Sequence, residues 1–231
     1  MFLTAIGFTI GGLIALFLKE FHKRISIIYS LCTGYILGLI VFDIAPSSIE
    51  QGNTRIFLLG LLIGAILFSF LHEEVHSFTR NQVKQNPYLN TALLLALSIS
   101  IHNFPVGIAM GSNEAMGHNN SMIYLLILHN IPEGVALITP LLLGEIRART
   151  WLTITCIILI PVGIGILLGS SLEYFFPPSF WALVLSFAIG IMLSVTIKEM
   201  LFVAIKKSSA IVCIAYAILG FILMWIYLQI I

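Results

Sequence analysis

Apolar residues run along this chain in windows of about 20, the length that carries an α-helix across a bilayer. Short polar breaks separate them. Eight windows are predicted to be transmembrane helices: Leu3–Leu18, Ile25–Ala45, Ile56–Leu71, Tyr88–Met110, Ser121–Leu143, Trp151–Leu172, Phe180–Ile205 and Ser209–Ile231. The longest break, His72 to Pro87, holds most of the polar residues. Nowhere is there room for a soluble domain, so 1–231 reads as one polytopic transmembrane domain. Backbone N–H and C=O groups cannot be left bare in hydrocarbon, so an all-α membrane protein, a helical bundle, is expected.

Composition agrees with the pattern. Of 231 residues, 59% are hydrophobic and 9% charged, against about 25% charged in a soluble domain. A net charge of +1 gives no sign of nucleic-acid binding. The few charges are ordered: Lys19, Lys23 and Arg24 follow the first window, Arg80 and Lys84 the third, Arg147 and Arg149 the fifth, Lys206 and Lys207 the seventh. The loops after the second, fourth and sixth carry Arg55 alone. By the positive-inside rule both termini lie outside the cytoplasm, in a multi-pass protein of the cell membrane. The first window has no preceding basic residue and no small-residue cleavage site, so it is kept as a span rather than a signal peptide. Cys32, Cys156 and Cys213 fall inside apolar windows without close spacing and read as buried thiols. Gly7/Gly11, Gly34/Gly38, Gly60/Gly64, Gly107/Gly111 and Gly165/Gly169 repeat a spacing that lets helix backbones approach closely. Trp151, Trp181, Tyr88 and Tyr227 fit interfacial belts or lipid contacts.

Two internal echoes change the picture. Ile101-His102-Asn103-Phe104-Pro105-Val106-Gly107 in the fourth window is matched 27 residues later (102 to 129) by Leu128-His129-Asn130-Ile131-Pro132-Glu133-Gly134 in the fifth. Gly34 precedes Asp43 by nine residues, as Gly190 precedes Glu199. Corresponding members lie five spans apart, an odd number, so helices 1–3 and 6–8 run in opposite senses. The chain thus reads as a 3+2+3 arrangement with inverted repeats, a transporter pattern with the site at the repeat interface. Ionisable groups inside a membrane are costly and mark sites or paths. His129 and Glu133, four apart, share a helix face, and imidazole with carboxylate suits a borderline divalent ion such as zinc. Pro105 and Pro132 each remove a backbone donor and bend their helix beside these side chains. Ser98 and Ser100 stand ready to bond the freed backbone.

These two phrases resemble the signature of the fourth and fifth helices of the ZIP family of metal transporters. Eight helices, outside termini and the 3+2+3 arrangement are what that family shows. The resemblance implies transport of a divalent transition metal toward the cytoplasm, zinc first, with iron, manganese, cobalt and cadmium left open. It implies a first metal site at His102, His129 and Glu133, and a second at Asn103, Asn130 and the shared Glu133. The chain departs from the family in two places. Val106 stands where members usually have Glu, and Ile160, before Pro161, where they often have another. One remaining carboxylate would leave most of a second ion's charge uncompensated, so a mononuclear site is expected. Asp43 at the outer end of the second helix and Glu199 on the seventh, toward the inner side, are candidate pathway residues; Lys198 is the expected alternative partner of Glu199.

His72-Glu73-Glu74-Val75-His76 also matches the helical His-Glu-x-x-His zinc motif. It reads first as a solvated helix end, then as a cytoplasmic metal acceptor at His72 and His76. An intramembrane metalloprotease with Glu73 as general base is the rival class, although no third ligand is evident. A transport-dead metal sensor is the second rival, suggested by the missing carboxylates. His22, and Glu114 with His118, read as surface loop residues. No nucleotide-binding motif is present, so neither ATP drive nor a required cofactor is expected. The expected partners are the divalent ion and the lipid bilayer, and homodimerisation stays open.

Overall fold

The computed structural model describes residues 2–18, 25–82, 86–112 and 121–230; for residues 3, 75–82, 121–126 and 148 the backbone alone is described. Among the described residues the chain is helical, with no strand. The helices are α1 (Phe2–Phe17), α2 (Ile25–Gln51), α3 (Thr54–Gln82), α4 (Pro87–Gly111), α5 (Ser121–Leu143), α6 (Ala148–Leu172), α7 (Pro178–Lys207) and α8 (Ala210–Ile230). Six of them, α2, α3, α4, α6, α7 and α8, are long and apolar enough to cross a membrane. The described apolar stretches of α1 and α5 are shorter, Thr4–Phe17 and Ile127–Leu143. The start of α4 shows how the breaks are made. Asn86 caps it by accepting from the N–H groups of Tyr88 and Leu89 at 3.0 and 3.2 Å, and Pro87 takes a first-turn position where no N–H is needed.

Two helices run further than the sequence predicts. Asp43 was expected at the outer end of α2, just before Pro46, yet the helix continues to Gln51. The reason is a π turn over Ile40–Ile44. Pro46 cannot donate to the carbonyl four residues back, and the wider turn, in which the Ala45 N–H reaches the Ile40 carbonyl, absorbs the defect. A second π turn, Thr196–Leu201, interrupts α7 and contains Glu199. Each π turn therefore holds one of the two carboxylates paired by the sequence echo. The other extension is α3, which continues through His72 to Gln82 instead of opening into a loop.

The helices pair as α1 on α5, α4 on α6, α2 on α8 and α3 on α7. The first two pairs form one group, joined through α4 and α5. The other two form a second group, joined through α2 and α7. Between the groups, α4 lies on α7 and α2 on α5. Glycine makes the pairs close. A Cβ at Gly34 would overlap the Ala217 carbonyl, and one at Gly190 would overlap the Leu61 carbonyl. These contacts correspond by one shift of 156 residues, 34 to 190 and 61 to 217. The same shift carries Gly64, against Phe187 and Ile191, onto Gly220, against Leu31 and Tyr35. In the other group Gly11 sits against Ile131 and Val135, as Gly165 sits against Phe104 and Ile108, again 27 residues apart (104 to 131).

Three smaller expectations change. Trp181 is fully buried, in edge-to-face contact with Phe176 and Phe180, so it is core rather than interfacial belt. Cys156 is exposed while Cys32 and Cys213 are buried. His22, Glu114 and His118 lie outside the described residues.

Candidate metal centre

The phrases on α4 and α5 meet in the interior. His102, Asn103, His129, Asn130 and Glu133 are all buried, which only paired or ligand-binding polar groups tolerate. His102 Nε2 lies 2.9 Å from Glu133 Oε1, and its Nδ1–H donates to the Ser98 carbonyl one turn earlier at 3.2 Å. A carbonyl can only accept, so Nδ1 must carry a hydrogen. One further proton is then needed between Nε2 and the carboxylate, as imidazolium with carboxylate or imidazole with carboxylic acid. The Ser98 contact also fixes which nitrogen faces the carboxylate, the usual arrangement behind a metal-ligating histidine.

His129 is placed differently. The Asn130 amide Nδ2 donates to its Nε2 at 3.2 Å, so that nitrogen is an acceptor and faces the amide. Among the described residues no group of three His, Cys, Asp or Glu is gathered closely enough to hold an ion. Of the expected trio, the structure brings His102 and Glu133 together, with His129 on the same face of α5. Glu133 Oε2 and both amide atoms of Asn103 are buried without a hydrogen-bond partner, and are available to a ligand. Val106 is half-buried, and Ile160 is 51% exposed on α6. Ser100 bonds the Ala96 carbonyl at 2.8 Å, so it does not serve the backbone freed by Pro105.

A cavity of about 10 Å³, the size of one water, adjoins the pair. His102 and Glu133 form its polar end. Ile36, Met192, Val195 and Met200 of the other helix group, with Thr196 at the head of the second π turn, close it. Thr196 had no signal of its own in the sequence, being one hydroxyl in an apolar window.

The two expected pathway carboxylates lie on the second group. Asp43 is half-buried in the π turn of α2, where the Ser47 hydroxyl donates to its backbone carbonyl at 2.9 Å. Glu199 is buried in the π turn of α7, with His72 Nδ1 2.8 Å from its Oε1. The Lys198 Nζ donates to the Ser69 hydroxyl at 3.0 Å. His72 is therefore no solvated helix end. Its ring lies against Phe68 and its nitrogen is held by a carboxylate from another helix. Glu73 and Glu74 are exposed, and the side chain of His76 lies outside the described residues.

No curated protein matches the chain. A protein-family model described as ZIP zinc transporter matches residues 76–227, which takes in both His-Asn phrases, the proline-bearing helices that carry them and the Glu199 turn. The members of that family are transporters of divalent metal ions and not enzymes, which sets the protease reading aside. With two thirds of its length matched and the buried His102–Glu133 pair at the crossing of α4 and α5, this multi-pass membrane protein belongs to the ZIP zinc transporter family.

Proposed function

We propose that the chain carries zinc toward the cytoplasm through a mononuclear site between α4 and α5. The observation that carries the reading is the buried His102–Glu133 pair, whose one shared proton occupies the place a cation would take. Loss of that proton leaves an imidazole lone pair and a carboxylate converging within hydrogen-bond distance, a donor set suited to zinc. His129 joins as third ligand by turning from the Asn130 amide, and Asn103 and Asn130 supply neutral oxygens around the ion. One carboxylate balances one divalent ion only in part, and with Val106 in place of a second carboxylate a second ion would find no charge to offset it.

The surrounding chain fits a route. Eight spans in a 3+2+3 arrangement, with inverted repeats and both termini outside, put Asp43 toward the outer face and His72–Glu199 toward the inner face. The matched glycine contacts and the two π turns support the repeat. An ion drawn in by Asp43 exchanges water for the central ligands. It then passes to Glu199 and His72 as one helix group rocks against the other.

Radiolabelled zinc uptake into proteoliposomes tests the reading. The unaltered protein is expected to accumulate zinc, and Glu133→Gln, which keeps the side-chain volume and a hydrogen-bonding oxygen, is expected to lose uptake by about tenfold or more. Equal uptake by the variant would overturn the site. Absence of uptake for zinc, iron, manganese, cobalt and cadmium in the unaltered protein would favour the sensor reading, which the lost carboxylates support.

A further inference from the structure

Tyr29 lies on α2, near the end that follows the basic loop, and its side chain is fully buried. Its hydroxyl donates to the backbone carbonyl of Ala136 on α5 at 3.2 Å, joining the two helix groups. In a regular helix the Ala136 carbonyl would accept from the N–H of residue 140. Residue 140 is proline and has none to give. The phenol thus supplies the donor that α5 lacks, from the other side of the group boundary.

The location of this bond bears on transport. Ala136 lines the cavity that holds His102, Glu133 and Thr196. Tyr29 is also within electrostatic reach of Glu199, which holds His72. The phenol is therefore bonded to the wall of the central cavity and lies within electrostatic range of the carboxylate of the inner pair.

We propose that Tyr29 is the inner gate of the path. With its hydroxyl on Ala136, it closes the way from His102–Glu133 to His72–Glu199, and a cation passes only when that bond is broken. A neutral hydrogen bond contributes modestly in net terms, so the closed state is favoured by this contact only about fivefold. That is strong enough to bias a two-state equilibrium and weak enough to be undone by small differences in how each state holds an ion. Pro140 has a role in the same device, because it leaves the carbonyl exposed to the latch. The inference rests on the route proposed above. Its test uses thiol labelling and no transported ion, so a failed gate and a failed zinc reading are separate results.

The full chain is used with Cys32, Cys156 and Cys213 replaced by alanine. Thr196→Cys is the inner reporter and Ser47→Cys the outer one. A charged methanethiosulfonate is added from one face at a time of oriented proteoliposomes. Tyr29→Phe, which removes only the hydroxyl, is expected to raise modification of the inner reporter from the cytoplasmic face about fivefold. Modification of the outer reporter is expected not to rise. Pro140→Ala returns a second donor to Ala136 that competes with the phenol for the carbonyl, so it is expected to give a smaller one-sided rise. The double variant is expected to show no more than Tyr29→Phe alone, since the bond that Pro140→Ala weakens is then already absent. If Tyr29→Phe fails to insert, Pro140→Ala carries the comparison by itself. An unchanged inner rate, a rise on both faces, or additive rises in the double variant would overturn the gate.

Discussion

At the scale of single residues the centre is a problem in proton counting. The Ser98 carbonyl commits His102 Nδ1 to carrying hydrogen, so the remaining proton of the His102–Glu133 pair is the one that a metal bound at the proposed site would have to displace. Metal binding at such a site releases protons and is pH-dependent. The sign follows directly: raising pH removes the competitor and strengthens binding, and lowering pH restores the pair and expels the ion. Calorimetry in buffers of different ionisation enthalpy is expected to show about one proton released per zinc, with apparent affinity rising with pH. The same titration is expected to saturate at about one ion per chain, in keeping with a lone carboxylate. Affinity independent of pH would contradict the shared proton, and two ions would contradict the mononuclear site. An inner face more acidic than the outer would thus favour unloading there.

At the scale of helices, backbone proximity holds each pair together. The ideal Cβ of Gly34 overlaps a carbonyl on α8, and that of Gly190 overlaps the corresponding carbonyl on α3. Rigid backbone cannot give way as a side chain can, so Gly34→Ala and Gly190→Ala are each expected to destabilise by about 1–3 kcal/mol. At Gly12 the nearest atom is the far end of the Ile138 side chain, at 2.6 Å, so Gly12→Ala is expected to be milder. Thermal unfolding in detergent, followed for the three variants side by side, checks the order; a Gly12→Ala loss as large as the other two would refute it. The spacing of these glycines was legible in the sequence because close packing leaves a pattern of small residues. The π turns were not. Pro46 suggested an end to α2, whereas a wider hydrogen-bonded turn let the helix run past it, and nothing in the residues around Glu199 announces the second turn. The His-Asn phrases were legible as chemistry. The turn of His129 Nε2 to the Asn130 amide was not, since spacing fixes a helix face and leaves rotamers open.

For the molecule as a whole, the question is which parts move together. Each glycine contact described above joins helices of the same group: α1 with α5, α4 with α6, α2 with α8, or α3 with α7. The boundary between groups has another character. It is made where α4 meets α7 and α2 meets α5, around apolar side chains such as Leu95, Ile99, Met192 and Val195, and the central cavity lies in it. Meshed backbones resist sliding, whereas an apolar side-chain surface can repack between two arrangements. Motion is therefore expected at the boundary and not within the pairs. Two cross-links separate these cases in the cysteine-free chain. Ser48 and Ser186 lie within one group, their hydroxyl oxygens 2.7 Å apart, so a disulfide between Ser48→Cys and Ser186→Cys is expected to leave zinc uptake nearly unchanged. Tyr88 on α4 and Lys207 on α7 face each other across the boundary, the ammonium 5.9 Å from the ring centre. Bridging Tyr88→Cys and Lys207→Cys with a short dithiol-reactive linker is expected to cut uptake by about tenfold or more, with recovery on reduction. Full uptake with the second link closed would mean that zinc passes without relative movement of the groups, and the path would then have to open by side chains alone, at Tyr29 and the residues around the cavity.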